Sequence, residues 1–329
     1  MSQKADFWKG RTVMVTGASG LVGSWLVEFL LSQQAKPICL VRDSVPDSRF
    51  FSEGISEKAV VVHGGLEDIF LLERAINEYE PQTLFHLGAQ TIVQTANRSP
   101  LHTFKANIEG TWNLLEAARR HDHSLKQIVV ASSDKAYGEQ AVLPYTEDMP
   151  LQGAHPYDVS KSCADLISQS YAKTYSMPIT ISRCGNFFGG GDMNFNRIVP
   201  GAIQALFHNK APQIRTDGKF VRDYIYVKDA VSAYACLAEK YDARLQGQAF
   251  NFTNGMQMNT LQMVEAISRL MKKQIPPKIL NNASNEIRDQ HLSPKKAQKV
   301  LGWQAKYGIE DGLKETIDWY ASYFGKARQ

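Results

Sequence analysis

A short polar segment, Ser132-Ser133-Asp134-Lys135, follows an apolar run at residues 127–130 that predicts a buried strand. It places a carboxylic acid and an amine side by side where a parallel strand opens into a crevice. A carboxyl group can donate a proton and a neutral amine can accept one, so the pair indicates general acid–base chemistry. The alternative is a surface ion pair beyond the end of a strand.

Tyr157 and Lys161 form a second pair, spaced i, i+4 on a predicted helix over residues 157–175. This spacing puts both side chains on one face of the helix. We expect the Lys161 ammonium to favour the phenolate and to lower the pKa of Tyr157 toward neutrality. Such a tyrosine can take a proton from a substrate hydroxyl.

Three glycines, Gly17, Gly20 and Gly23, lie in TVMVTGASGLVG between the first predicted strand and the first helix. Glycine permits the tight turn and lets backbone N–H groups approach a pyrophosphate at the helix N-terminus. The context therefore predicts a dinucleotide site. The second strand ends in Val41-Arg42-Asp43, with valine in the usual acidic position. Arg42 favours NADP slightly over NAD, and the alternative is that Arg42 is an exposed charge at a strand end.

Strands and amphipathic helices alternate along the chain, which is typical of an α/β fold with a Rossmann-like, doubly wound parallel sheet. Predicted strands at 11–16, 37–42, 58–63, 83–87, 127–131 and 179–183 alternate with helices at 20–32, 67–79, 101–121 and 157–175. Residues 184–201 are rich in Gly and Asn and predict a loop, and shorter elements follow. We expect a dinucleotide-binding domain at 1–183 and a smaller α/β substrate lobe at 184–329, with chain crossings between them.

The bulk composition excludes several classes of function. The 329 residues carry a net charge of only +4 and no dense Lys/Arg stripe, which argues against nucleic acid as a partner. No apolar run predicts a membrane span or a secretory signal. The four cysteines are far apart, and the eight histidines lack metal-ligand spacing. We therefore expect reduced thiols, no metal and a cytoplasmic location.

The combination of the glycine loop, Ser133, Tyr157 and Lys161 resembles the extended short-chain dehydrogenase/reductase family over nearly the whole chain. The resemblance implies bound NAD(P), a nucleotide-diphosphate sugar substrate and a homodimer formed through helices 101–121 and 157–175. It implies that Ser133 positions the substrate hydroxyl, that Tyr157 is the acid/base, and that Lys161 also binds the nicotinamide ribose. The cofactor-binding residues that it implies are Gly17, Ser19, Gly20, Leu21, Val22, Gly23, Arg42, Leu66, Leu87, Ala89, Tyr157 and Lys161.

Within that family, SSDKAY is similar to the S-D-K-x-Y stretch of CDP-glucose 4,6-dehydratases. These enzymes oxidise C4 of the sugar, eliminate water across C5–C6 and return the hydride to C6. The elimination needs a base for the C5 proton and an acid for the C6 hydroxyl. By this resemblance Lys135 is the candidate base and Asp134 the acid, and both must be uncharged. Burial would favour that state, whereas a neighbouring opposite charge opposes it.

The same resemblance assigns Gln90, Asn186, Arg197 and Arg222 to substrate binding, with the two arginines on the diphosphate. The chain departs from the CDP-glucose group at Ala18, Leu21, Val22 and Met193, and residues 221–227 replace the R-P-W-Q-H-V stretch of that group. Two other functions stay open. One is a nucleotide-sugar 4-epimerase, in which Asp134 and Lys135 only line the pocket. The other is a non-catalytic NAD(P)-binding regulatory protein.

Overall fold

The predicted alternation of strands and helices is present and builds a doubly wound parallel sheet. The computed structural model describes residues 7–121, 123–283 and 286–326. The seven parallel strands of the main sheet are β1 Thr12–Thr16, β2 Lys36–Val41, β3 Val60–His63, β4 Thr83–His86, β5 Gln127–Ala131, β6 Ile179–Cys184 and β10 Ala249–Phe252. Their order, β10-β6-β5-β4-β1-β2-β3, reverses direction between β1 and β4. The Rossmann-like α/β class is therefore confirmed.

The remaining strands form two small sheets beyond the main one. A three-stranded sheet contains β7 Asn186–Phe188, β9 Val221–Tyr226 and β11 Gln257–Asn259. A two-stranded sheet pairs β8 Gln213–Ile214 with β12 Lys278–Ile279. β10 belongs to the main sheet although it follows β7, β8 and β9 in sequence, so the chain returns to that sheet after forming part of the smaller lobe. The division at 183/184 stays a prediction.

The helices flank both faces of the main sheet and fill the smaller lobe. They are α1 Leu21–Ser32, α2 Arg49–Ser52, α3 Ile69–Tyr79, α4 Val93–Arg98, α5 Pro100–Phe104, α6 Gly110–Arg120, α7 Pro156–Tyr175, α8 Ile198–Phe207, α9 Val227–Glu239, α10 Thr260–Leu270 and α11 Ile309–Lys326. In the described part of the chain, no helix has the length and apolar character needed to cross a bilayer.

Two sequence predictions need correction at the level of local structure. The helix expected over 101–121 is not a uniform α-helix. It consists of α5 and α6, which are joined by a π-helical turn at Lys105–Glu109. The segment expected to be a loop contains β7 and the start of α8. β7 pairs with β9, a partner distant in sequence, so local composition gave no signal for this strand.

The core has two layers, because alternate side chains of each buried strand point to opposite faces of the main sheet. Val13 and Val15 of β1 pack on one face with α1 and α9, whereas Met14 packs on the other face with α3, α6 and α7. A third cluster, formed by β7, β9, α8, α10 and α11, fills the smaller lobe. The carboxyl ends of the main strands therefore face that lobe, where a parallel sheet normally binds its ligands.

A buried ion pair fixes the segment that follows β5. Arg183 of β6 donates from two nitrogens to the carboxylate of Asp165 on α7, at 2.8 and 3.0 Å. Its third nitrogen donates to the Tyr137 hydroxyl at 2.8 Å, and that hydroxyl donates to Asn251 of β10 at 2.8 Å. Tyr137 closes the 3₁₀ turn at Asp134–Tyr137, so this network holds the turn that carries Asp134 and Lys135.

Replacing Asp165 should destabilise the fold strongly, because Arg183 is then left as a buried charge without its partner. We expect Asp165→Asn to lower the free energy of unfolding by about 3–5 kcal/mol. Glu78→Gln is the matched control, since it removes one charge from the exposed Arg74–Glu78 pair. That variant should change stability by less than about 0.5 kcal/mol. Equal shifts of the two denaturant midpoints would contradict the expectation.

Candidate active site

The loop after β1 has the geometry of an anion cradle at a helix N-terminus. Gly17 has φ +70°, and a Cβ there would lie 2.8 Å from the backbone nitrogen of Gly88 after β4. A Cβ on Gly23 would lie 2.1 Å from the Gly17 carbonyl oxygen. These two glycines are therefore required by backbone packing. Gly20 caps α1 without any side-chain hydrogen bond to the first turn, which leaves those N–H groups available for a phosphate.

A cavity of about 1580 Å³ extends from this loop along the carboxyl ends of the strands into the smaller lobe. This exceeds the usual size of a site for one small ligand, so it has room for a dinucleotide together with a second molecule. All the predicted cofactor-binding residues line the cavity, as do the five predicted catalytic residues. Asn186, Arg197 and Arg222 also line it. The open glycine loop at one end fits a dinucleotide.

Ser133 organises the turn that follows β5. Its hydroxyl donates to Asp134 Oδ1 at 2.8 Å and accepts from the backbone N–H of Lys135 at 3.2 Å. Asp134 is 3% exposed, and its other oxygen, Oδ2, is buried and has no hydrogen-bond partner among the described residues. A carboxylate with an unpartnered buried oxygen is costly, whereas the protonated acid is not.

Burial moves the pKa values of Asp134 and Lys135 in opposite directions. It raises the pKa of Asp134, although the charges of Lys135 and Arg222 act against that shift. It lowers the pKa of Lys135, and Arg222 adds to that shift, while Asp134 and Asp158 oppose it. For both groups the desolvation of the charged form is the largest cause. Both pKa values are therefore shifted toward the uncharged form of the group, a carboxylic acid beside an amine.

Tyr157 and Lys161 lie on α7 facing the same cavity. The Lys161 ammonium donates to the carbonyl oxygen of Ala131 at 2.7 Å, and burial lowers its pKa to about 8. The expected lowering of the Tyr157 pKa is not found. Burial raises the pKa of Tyr157, and the main opposing groups are Arg197 and a hydrogen bond with Ser133. The charge of Lys161 is directed at the Ala131 carbonyl.

Asn107 is a site-positioning residue that sequence reasoning missed. It is 2% exposed and lies in the π-helical turn, where its amide nitrogen donates to Gln90 O and to Ser160 Oγ at 3.0 and 2.9 Å. Ser160 in turn donates to the carbonyl oxygen of Tyr157 at 2.7 Å. Because Asn107 falls within an ordinary helical pattern, its spacing carried no signal.

Two predicted substrate residues make contacts that the sequence did not indicate. The amide oxygen of Gln90 accepts from the N–H of Ile92 at 2.7 Å, and Gln90 does not belong to the described cavity lining. Arg222 donates to the carbonyl oxygens of Val221, Arg288 and Ile287 at 2.6–2.8 Å. The guanidinium of Arg222 therefore holds the 287–288 segment. The substrate-binding roles of Gln90 and Arg222 stay predictions.

Arg197 is placed more openly on the cavity wall. It pairs with Asp192 at 3.0 Å, donates to Thr91 Oγ1 at 3.1 Å, and keeps 35% of its side chain exposed. Asn186 is exposed at the first position of β7. Arg215 and Thr216, which sequence reasoning missed, line the far part of the cavity within the smaller lobe. They follow the two-residue strand β8, whose pairing with β12 could not be read from local sequence.

Comparison with known proteins gives consistent similarities. The model of the family described as GDP-mannose 4,6 dehydratase matches residues 14–316. A CDP-glucose 4,6-dehydratase of Salmonella typhimurium is 27% identical, with 97% of this chain and 92% of that protein covered. The solved UDP-glucose 4-epimerase of Thermotoga maritima with UDP-glucose is 27% identical with a TM-score of 0.86, covering 97% of this chain and 100% of that one. A dTDP-glucose 4,6-dehydratase from Bacillus anthracis in complex with NAD is 26% identical, with a TM-score of 0.84 and coverages of 95% and 97%.

Removing the buried amine of Lys161 should stabilise the nucleotide-free protein at neutral pH. The pKa of Lys161 is about 8 in the folded state and 10.5 ordinarily. Below pH 8 the amine is charged in both states, so the free-energy cost of burying its charge has its full value. We expect Lys161→Met to raise the free energy of unfolding by roughly 1–3 kcal/mol near pH 7. The gain should shrink as the pH rises through 8 toward 10.5, because the wild-type amine then becomes neutral on folding.

Denaturant unfolding at about pH 7 and about pH 9.5 measures this difference. Lys173→Met, at an exposed position of the same helix, is the control and should show neither the gain nor its pH dependence. A Lys161→Met gain that does not change between the two pH values would contradict the assignment to the buried charge.

Proposed function

Because the chain belongs to the GDP-mannose 4,6-dehydratase family of NAD-dependent epimerases and dehydratases, we propose that it is a nucleotide-sugar 4,6-dehydratase, a lyase. The proposed reaction converts an NDP-glucose, with CDP-glucose favoured, to the NDP-4-keto-6-deoxyhexose. The observation that carries this proposal is the pair formed by buried Asp134 and half-buried Lys135 at the cavity wall, because desolvation raises the pKa of the acid and lowers the pKa of the amine.

The redox step at C4 is assigned to Ser133, Tyr157 and Lys161. Ser133 and Tyr157 share a hydrogen bond, so the substrate hydroxyl would meet both groups as its proton passes to Tyr157. The high pKa of the buried phenol means that a further positive charge must favour its ionised form. Oxidised NAD, held by the glycine loop and Lys161, would supply that charge and the hydride acceptor. Lys161 holds the Ala131 carbonyl at the base of the site.

The elimination step is assigned to Asp134 and Lys135. Once C4 is a ketone, the C5 proton is acidic, and neutral Lys135 removes it. Protonated Asp134 gives its proton to the C6 hydroxyl, which leaves as water, and the electron pair of the C5–H bond forms the C5–C6 double bond. Hydride then returns to C6, and the Lys135 ammonium returns a proton to C5. These steps restore Lys135 but leave Tyr157 protonated and Asp134 ionised. The proton that Tyr157 took from the C4 hydroxyl then passes to Asp134 through the Ser133 hydroxyl, which hydrogen-bonds to both groups, so all three residues regain their starting protonation states.

A nucleotide-sugar 4-epimerase is the second candidate. The similarity to the UDP-glucose 4-epimerase of Thermotoga maritima is as extensive as the similarity to the dehydratases. An epimerase uses the same Ser133, Tyr157 and Lys161 but needs no C5 base. A non-catalytic NAD(P)-binding regulatory protein is disfavoured, because a pure binder does not require this proton-transfer arrangement.

For the cofactor we propose NAD, and this replaces the slight preference for NADP that Arg42 suggested. The Arg42 guanidinium already pairs with Asp43 at 2.7 Å, and both side chains are about 60% exposed. A carboxylate at this place repels a 2′-phosphate and can accept hydrogen bonds from ribose hydroxyls. Two dTDP-glucose 4,6-dehydratases among the solved neighbours have structures with NAD.

We propose a homodimer formed through α5–α6 and α7. Four large apolar side chains on these helices, Leu101, Trp112, Leu166 and Tyr175, are 43–63% exposed. An apolar surface of this kind marks an interaction site.

We also place the enzyme in the cytoplasm, because cysteine usage with four free thiols suits a reducing compartment.

The direct test is incubation of the purified enzyme with CDP-, dTDP-, UDP- and GDP-hexoses, followed by mass spectrometry. We expect one nucleotide sugar, CDP-glucose first, to lose the mass of one water without net reduction of the cofactor. Mass analysis of the denatured protein also identifies the retained cofactor as NAD or NADP. If no substrate loses water and one is epimerised, the dehydratase proposal is wrong.

Substitution of the proposed C5 base should separate the two half-reactions. We expect Lys135→Ala to lower water loss by about 10²–10⁴-fold, the usual contribution of a positioned acid or base. Oxidation at C4 should continue, so the near-ultraviolet absorbance of reduced nicotinamide should accumulate. Lys126→Ala, at the opposite end of the same strand, is the control and should keep full turnover. Full turnover in Lys135→Ala would favour the epimerase.

Placing a charge on the exposed apolar helix surface should disrupt the proposed dimer. We expect Leu166→Glu to halve the mass measured by light scattering in solution, because a buried unpaired carboxylate is unfavourable at an interface. Val142→Glu, at a similarly exposed apolar residue outside these helices, should leave the mass unchanged. A wild-type mass equal to one chain would refute the dimer itself.

A further inference from the structure

Residues 189–191 are three consecutive glycines followed by Asp192. Such a glycine-rich segment is typical of a ligand-binding loop, but here it packs inside the protein. Its neighbours on both sides, residues 185–187 and 194–197, line the cavity, whereas the described lining does not include residues 189–192. The three glycines and Asp192 are all buried. Their small size must therefore serve contacts with protein groups.

Each glycine of the run faces a side chain from a different element. A Cβ on Gly189 would lie 2.4 Å from Val227 Cγ1, and one on Gly190 would lie 2.3 Å from Trp319 Cγ. Gly191 has φ +91°, and a Cβ there would lie 3.0 Å from Arg49 Cβ. Backbone in contact with α9, α11 and α2 in succession leaves no room for side chains.

Polar groups on α1, α2 and α11 complete this enclosure. The indole nitrogen of Trp25 donates to Gly190 O at 2.8 Å, and the guanidinium carbon of Arg49 lies 3.8 Å from the centre of a Trp25 ring. Arg49 forms ion pairs with Glu28 at 2.6 Å and Glu53 at 2.9 Å, although its side chain is only 4% exposed. Glu53 also accepts from the Trp319 indole at 2.7 Å. Arg49 thus connects the helix of the glycine loop to the smaller lobe.

Asp192 connects the buried glycines to Arg197 on the cavity wall. Its carbonyl oxygen accepts from the Tyr320 hydroxyl at 2.6 Å, which fixes the end of the run against α11. Its carboxylate accepts from Arg197 at 3.0 Å and from the N–H of Asn194 at 3.1 Å. The orientation of Arg197 on the cavity wall therefore depends on a residue that does not itself line the cavity.

We propose that residues 189–192 form an interlobe clamp, closed by Arg49, that positions Arg197 for the anionic part of the substrate. Arg49 is a positioning residue in this scheme, because it acts through Gly191 and Asp192 and does not belong to the described cavity lining. The part of the inference that concerns substrate rests on the proposed function. The part that concerns the clamp rests on the contacts alone.

Arg49→Met tests the clamp, because methionine keeps an apolar stem beside Trp25 and loses both ion pairs. Hydrogen–deuterium exchange of the full-length protein should become at least about 10-fold faster in peptides covering 189–197, equivalent to about 1.4 kcal/mol. With the substrate found active, KM for the nucleotide sugar should rise by about 10-fold, while kcat and the Kd of the cofactor stay within about twofold. Arg49→Lys should restore part of both effects.

Arg74→Met is the matched control, since Arg74 forms an exposed ion pair with Glu78 away from this segment. It should change neither the exchange nor KM. Asp192→Asn should raise KM by removing the charge that orients Arg197, and it also tests the inference if Arg49→Met does not fold. Unchanged exchange in Arg49→Met overturns the clamp, and unchanged KM in Asp192→Asn overturns its link to Arg197. If the wild type acts on no nucleotide sugar, the proposed function fails while the exchange result still decides the clamp.

Discussion

Desolvation at the carboxyl edge of the parallel sheet is the constraint on which the chemistry of this site depends. It is the largest cause of the pKa shifts of Asp134, Lys135, Tyr157 and Lys161, and in each case it disfavours the charged form. The smaller lobe creates this environment by covering the strand ends. The pKa values of the groups proposed for proton transfer are thereby shifted toward their uncharged forms at the edge where we propose that the substrate binds.

This environment is stable because the surrounding polar groups are firmly held. The Arg183–Asp165 pair anchors the turn that carries Asp134, and Asn107 ties the π-helical turn to Ser160 beside Tyr157. Such buried networks add specificity of position when their hydrogen bonds are satisfied. Catalytic groups need that precision, since misplacement by a fraction of a bond length lowers the rate.

Much of this could be predicted from sequence, and the exceptions share one physical cause. The glycine loop, the strand end at Ser133 and the Tyr157–Lys161 spacing are local features, so period and composition located them. The raised pKa of Tyr157, the backbone contacts of Arg222 and the small strand β7 depend on groups distant along the chain. The glycines at 189–191 are a clear example. Position 190 has no room for a side chain because Trp319, which is distant in sequence, packs against it. Local pattern cannot reveal a partner that only the fold supplies.

The proximity of Asp134 and Lys135, which at first looked like a difficulty, suits elimination. In the proposed reaction both groups start uncharged, and desolvation shifts both pKa values toward that state. Transfer of one proton to Lys135 and loss of one from Asp134 would convert the pair into adjacent opposite charges, whose attraction offsets part of the desolvation cost. Arg222 adds a positive charge that favours ionised Asp134 and disfavours ionised Lys135, which in the proposed reaction would assist return of the ammonium proton to C5. The elimination proposed for these two adjacent residues therefore changes no net charge in the site, and the proton that Tyr157 takes from the C4 hydroxyl restores Asp134 through Ser133 at the end of the proposed cycle.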